Sequence, residues 1–125
     1  MTLTAFRSDR LVPPVGPFSQ AVGTGDVIFL SGQVGLDADG TLVEGGVGAQ
    51  AAQIFANVGA VLDAAGTSFS DVVRVGVFLT DMADFGALNA IYAQHFEPPY
   101  PARTTVAVAA LPLGAAVEID MVVKA

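Results

Sequence analysis

The chain has 125 residues, a net charge of −7 and no cysteine; 53% of its residues are apolar and only 14% are charged. That length fits one domain whose core needs no staples, and the missing cysteines exclude disulfides and thiolate chemistry. The basic residues Arg7, Arg10, Arg74, Arg103 and Lys124 form no cluster, which argues against a nucleic-acid groove built on counterion displacement.

Residues 2–6 predict a short first strand. Pro13-Pro14-Val15-Gly16-Pro17 predicts an ordered loop, because each proline fixes its own dihedral and restricts the residue before it. Two strands, 18–22 and 27–31, flank the turn Gly23-Thr24-Gly25-Asp26. Asp37-Ala38-Asp39-Gly40 predicts another turn. Over 47–65 the apolar residues Val47, Ala51, Ile54, Phe55, Val58, Val61, Leu62 and Ala65 fall at helical spacing. Gln50, Gln53 and Asn57 lie on another side of that helix, and Gly66 is placed to end it. Residues 72–80 form a strand rich in β-branched side chains. Asp84 predicts the N-cap of a second helix over 85–96, with Phe85, Leu88 and Tyr92 on one side. Glu97-Pro98-Pro99-Tyr100-Pro101 stops it. Strands at 103–110 and 116–124 complete the chain.

The order β-β-β-α-β-α-β-β predicts one α+β domain over residues 1–125, a single mixed β-sheet with two helices packed on one face. In the last strand Val117, Ile119, Met121 and Val123 alternate with Glu118, Asp120, Val122 and Lys124. The first set goes under the helices and the second faces away. In the strand before it, Val106 and Val108 share one side and Arg103, Thr105, Ala107 and Ala109 the other. A small-residue, partly charged outer face predicts close approach of another copy, and so does a charge content too low to cover a monomer's surface. No charged-then-apolar leader opens the chain and no apolar run is long enough to span a bilayer, so a cytoplasmic protein without a membrane partner is expected.

Arg103 and Glu118 are charges inside otherwise apolar strands, where a charge is costly unless it is paired or used. A guanidinium fork fits a carboxylate, and a glutamate can hold or activate a water. Together they point to a site for a small carboxylic acid. If residues 112–115 turn a hairpin, Glu118 lies opposite Ala109 and Arg103 is roughly 20 Å further along. A site using both then takes Arg103 from one subunit and Glu118 from another. An interface salt bridge without substrate is the plain alternative.

Other features carry less. His95 is the only histidine and has no partners at zinc-ligand spacing. Asp37, Asp39 and Glu44 lack the EF-hand pattern, and Glu44-Gly45-Gly46-Val47-Gly48 lacks both the P-loop lysine and the dinucleotide spacing. No metal site is expected.

Gly16-Pro17-Phe18-Ser19-Gln20-Ala21, Phe29-Leu30-Ser31-Gly32-Gln33, the run from Asp84 through Asn89 to Tyr92, Pro101-Ala102-Arg103-Thr104, and Leu111-Pro112 leading to Val117-Glu118-Ile119 stand in one layout. That layout resembles the Rid family, the YjgF-like reactive intermediate deaminases, over almost the whole chain. The resemblance implies a chorismate-mutase-like fold, a homotrimer with clefts between neighbours, and no metal or organic cofactor. It implies hydrolysis of enamines and imines such as 2-aminoacrylate to 2-keto acids and ammonia. It places the carboxylate-binding role on Arg103 and the water-holding role on Glu118. Pocket roles fall on Ser31, Gly32 and Asn89. Phe18 and Thr105 depart from the tyrosine and cysteine frequent in the family. Phe18 loses a hydroxyl, while Thr105 still offers its backbone N–H. Phe18, Phe85 and Thr105 are counted with Ser31, Gly32 and Asn89 as candidate substrate-binding residues, although Phe18 and Phe85 also read as plain core or interface packing. Three alternatives to the imine deaminase remain at this stage: a non-catalytic trimer that binds 2-keto acids, a catabolic deaminase of a larger unsaturated amino acid, and a ribonuclease of the kind attributed to some relatives. The acidic charge argues against the last.

Overall fold

The alternating and helical patterns fold as two layers in a computed structural model that describes residues 2–125. The strands are β1 (Thr4–Phe6), β2 (Ala21–Thr24), β3 (Val27–Gln33), β4 (Val72–Leu79), β5 (Ala102–Ala107) and β6 (Val117–Lys124). The helices are α1 (Gly46–Ala64), between β3 and β4, and α2 (Phe85–Tyr92), between β4 and β5. All strands join one sheet in the order β1-β2-β3-β6-β4-β5, with β4 and β5 parallel and every other pair antiparallel.

The helices bury their apolar stripes on one face of this sheet. Ala51, Ile54, Phe55, Val58, Val61 and Leu62 of α1 and Leu88 of α2 share one core with Val75, Val77, Ile119, Met121 and Val123. Burial of each large side chain contributes about 1.5–3 kcal/mol, which fixes the helices to this face. Gly66, at φ 71°, ends α1, and its N–H donates to the Asp63 carbonyl at 3.1 Å. The alternation expected for β6 holds: Val117, Ile119, Met121 and Val123 are buried and the residues between them are not.

Some local expectations change. The second strand is Ala21–Thr24 rather than 18–22, so Gly23 and Thr24 pair with β3 instead of turning. The second helix is short, because residues 93–95 continue as turns rather than a regular helix. Asp84 makes no side-chain cap; Asp81 does, accepting from the Ala83 N–H at 2.9 Å and starting the 3-10 turn that leads into α2.

The largest correction concerns β5 and β6, which do not form a hairpin. β6 inserts between β3 and β4, and β5 lies parallel to β4 at the sheet edge. The physical reason is the β4–α2–β5 crossover, which returns the chain beside β4 in the same direction. The link over residues 108–116 then carries the chain across β4, with the Val108 N–H donating to the Leu79 carbonyl at 2.8 Å. Arg103 is therefore abreast of the fully buried Val75 and Thr105 of Val77. Both point to the helix side, not to the outer face expected for them.

Candidate active site

Arg103 sits on edge strand β5, beneath α2. Its guanidinium carbon lies 4.6 Å from the centroid of the Tyr92 ring and 5.5 Å from that of Phe85. Phe85, Asn89 and Tyr92 recur at helical i, i+4, i+7 spacing, so α2 presents all three on one face. Among the described residues the ion pairs are Arg7–Asp9 and Arg10–Asp63, and Arg103 has no carboxylate partner. Three buried polar atoms on these two elements also lack a hydrogen bond: Asn89 Oδ1, Tyr92 OH and Thr105 Oγ1. Burial raises the Tyr92 phenol pKa, while the Arg103 charge and N–H groups pull it down without a well-aligned bond. A free cation beside unsatisfied polar groups is a receptive site for an anion.

Glu118 belongs to a different surface. On β6 it is abreast of Phe78 and faces away from the helices. It is half-buried, and desolvation raises its pKa first, with the charge of Asp120 adding to the rise. Gly32 of β3 makes room for it. A Cβ at Gly32 would strike the Glu118 carboxyl, whose Cδ would be 2.9 Å away. Gly76 of β4 gives Asp120 the same room: a Cβ at Gly76 would stand 3.2 Å from the Asp120 Cγ. Two glycines thus let two carboxylates lie flat on the outer face.

Glu118 and Gly32 line a cavity of about 350 Å³ walled by Pro13, Pro14, Phe18 and Leu113. Phe18 is 53% exposed at this cavity, so it is not core packing. Leu113 takes φ 60°, a left-handed conformation that costs energy in a branched side chain, and stands exposed at the rim. Ser31 is engaged: its hydroxyl donates to the Ser19 carbonyl at 2.6 Å and its N–H to the Gln20 carbonyl at 3.0 Å. It ties down the segment that carries Phe18.

The expected site residues thus fall into two groups. Arg103 and Thr105 lie beneath α2, which carries Phe85 and Asn89; Glu118, Gly32 and Phe18 line the cavity, and Ser31 is next to Gly32 in β3 without lining it. Arg103 and Glu118 are three residues apart along the strands and two strands apart across them, so about 14 Å separates their Cα atoms. They also point to opposite faces, so one chain does not unite them. Residue type alone gives Tyr92 no place in the site, although its spacing from Phe85 and Asn89 sets it beside them. The walls Pro13, Pro14 and Leu113 carry no chemical signal, because such apolar residues read as loop and turn. His95 packs flat on Phe55 with centroids 4.3 Å apart, and burial lowers its pKa. Asp37 is a turn residue, accepting from the N–H groups of Asp39 and Thr41 at 2.9 and 3.0 Å.

Residues 9–125 match the family model described as Endoribonuclease L-PSP. The chain belongs to the Rid (YjgF-like) family. Among its Rid relatives, the mouse protein named 2-iminobutanoate/2-iminopropanoate deaminase is 50% identical over 109 residues, which is 86% of this chain and 81% of that one. Protein DfrA of Myxococcus xanthus is 47% identical over 125 residues, covering 98% of this chain and 95% of that one. The crystal structure of RidA from the Antarctic bacterium Psychrobacter sp. PAMC 21119 superposes with a TM-score of 0.93 at 43% identity, covering 98% and 99% of the two chains. The Rid fold therefore describes this six-stranded mixed sheet with its two helices. Among the described residues no helix is long and apolar enough to cross a membrane.

Proposed function

We propose that the protein hydrolyses short reactive enamines and imines that carry a carboxylate, of the 2-aminoacrylate and 2-iminobutanoate type, to 2-keto acids and ammonia. The observation that carries this reading is the unpaired guanidinium of Arg103. Cations in apolar strands are retained when they are used, and a fork without an acid partner is ready for a substrate carboxylate. Glu118 lies in a largely apolar cavity wall with a raised pKa, which suits a group that holds a water and passes its proton. The deaminase name of a relative half identical to this chain supports the same chemistry.

The active cleft takes Arg103, Phe85, Asn89 and the Thr105 backbone from one subunit and Glu118, Gly32, Ser31 and Phe18 from its neighbour. A homotrimer closes three such clefts. The exposed apolar residues Phe29 and Val106 on the outer sheet face are then covered by neighbouring copies.

The reaction begins with the substrate carboxylate in a bidentate pair with Arg103. An enamine first takes a proton on its terminal carbon and becomes the imine. A water held by Glu118 adds its oxygen to the imine carbon, and its proton passes to the carboxylate of Glu118. The proton taken up by Glu118 passes to the nitrogen of the resulting carbinolamine. The C–N bond then breaks with its electron pair leaving on ammonia, the hydroxyl proton returns to Glu118, and the carbonyl of the keto acid forms. The imine is already electrophilic, so this path needs only proton transfers.

A second reading, a trimer that binds 2-keto acids without turning them over, is favoured by Phe18, which offers a ring but no hydroxyl at the cavity. The cysteine-free composition fits the cytoplasmic location expected for either reading. One assay separates the two. 2-Iminobutanoate is generated in situ and its loss is followed with and without protein. Faster loss supports the deaminase. Tight binding of 2-oxobutanoate with no acceleration supports the binder.

A further inference from the structure

Arg103, on the edge strand β5, is held without an acid. No acid pairs with it among the described residues. Two rings of α2 lie against its guanidinium, Tyr92 at 4.6 Å and Phe85 at 5.5 Å. An acidic partner would orient the fork but neutralise it, and would compete with any incoming carboxylate. A π face attracts the cation without occupying its N–H donors. The two rings are not equivalent. Phe85 is 37% exposed at the start of α2, whereas Tyr92 is 8% exposed and itself fixed by Phe55 and Phe96, with ring centroids 6.0 and 4.6 Å away. Tyr92 is the rigid floor of the pair, and its hydroxyl is buried with no aligned hydrogen bond.

We propose that Tyr92 is a positioning residue for Arg103, its ring fixing the plane of the guanidinium so that the free N–H fork faces the cleft. Its effect is on carboxylate capture, not on the water-addition step. The proposal rests on the reading of Arg103 as the carboxylate anchor, and it makes a claim about the ligand-free protein that can be tested apart from that reading. The orientation of the fork is set by the aromatic floor before any substrate arrives.

The test uses the full-length protein and its Tyr92→Met and Tyr92→Phe variants. In the free wild-type protein the Arg103 Nε–H resonance is displaced by the ring current and sharp. In Tyr92→Met the displacement is lost and the signal broadens; in Tyr92→Phe, which keeps the ring, it persists. The dissociation constant for 2-oxobutanoate and the KM for 2-iminobutanoate rise about five- to tenfold in Tyr92→Met, with a smaller change in kcat. Tyr92→Phe recovers most of that loss. A Met variant with the wild-type resonance and the wild-type KM overturns the proposal. A wild-type protein that binds no 2-oxobutanoate, while its Arg103 signal still follows Tyr92, leaves the positioning intact and removes the deaminase reading instead. If Tyr92→Met does not fold, the ligand-free wild-type protein decides: the Arg103 Nε–H shows nuclear Overhauser contacts to the Tyr92 ring protons, and their absence overturns the proposal.

Discussion

Arg103 and Glu118 point to opposite faces of the sheet: Arg103 is abreast of Val75 under α2, and Glu118 is abreast of Phe78 on the outer face. The register fixes this, because residues side by side in a sheet project the same way. In the proposed function a protomer carries two half-sites, and a second copy of the chain unites them.

Arg103→Ala removes the proposed carboxylate anchor. A charge-assisted bidentate pair is worth about 1.5–3 kcal/mol, so kcat/KM for 2-iminobutanoate falls by at least roughly tenfold. Thermal stability changes little, since no acid partner is left stranded. Steady-state kinetics and a melting curve on one preparation check both halves of this expectation.

Glu118 gives the pH dependence a definite sign. Burial and Asp120 raise its pKa, so the folded state holds this proton more tightly than the unfolded chain does. Stability then falls as pH rises from the ordinary carboxylate pKa through the raised folded value, and is flat above it. Glu118→Gln removes that penalty and raises Tm at pH 7, with the gain vanishing at pH below the unfolded pKa. It also removes most of the activity. Asp120→Asn shifts the acid limb of the kcat/KM profile to lower pH, because the like charge that helps raise the Glu118 pKa is gone. An acid limb that does not move in this variant contradicts the coupling.

Gly32→Ala tests the room beneath Glu118. The new methyl group displaces the carboxyl, which is the far end of a flexible side chain and can swing away. The expected result is a fall in kcat of about tenfold or more with a small loss of stability. Unchanged kcat would mean that the carboxyl tolerates relocation.

Asp81 and Asp84 separate two capping models for α2. Asp81→Ala costs about 1 kcal/mol in chemical denaturation, because it loses the bond from the Ala83 N–H. Asp84→Ala costs much less, since its side chain makes no cap bond.

Much of this is legible in the residues. The 3.6-residue period of α1 and the strict alternation of β6 fix which faces enter the core, because an apolar stripe has only one place to go. The turn at Gly66 is equally plain, since a positive φ favours glycine. The β5–β6 pairing is not legible. Leu111-Pro112-Leu113-Gly114 has turn composition, and a turn between two strands reads as a hairpin. The competing demand of the β4–α2–β5 crossover is a tertiary property with no local signature. From that one misplacement follows the wrong face for Arg103 and Thr105. The site residues with unusual chemistry, Arg103 and Glu118, stand out as charges in apolar strands. Tyr92 does not, because an aromatic at helical spacing looks the same whether it fills a core or carries a cation.

The claim that two copies share each site is tested most directly by mixing two impaired variants. Arg103→Ala and Glu118→Gln proteins are combined in equal amounts, unfolded and refolded together, and assayed on 2-iminobutanoate. In a shared cleft each of the two contributions comes from the competent copy half the time, so about a quarter of wild-type activity returns. No recovery beyond the separately refolded variants, with mixed oligomers confirmed by mass, would contradict it.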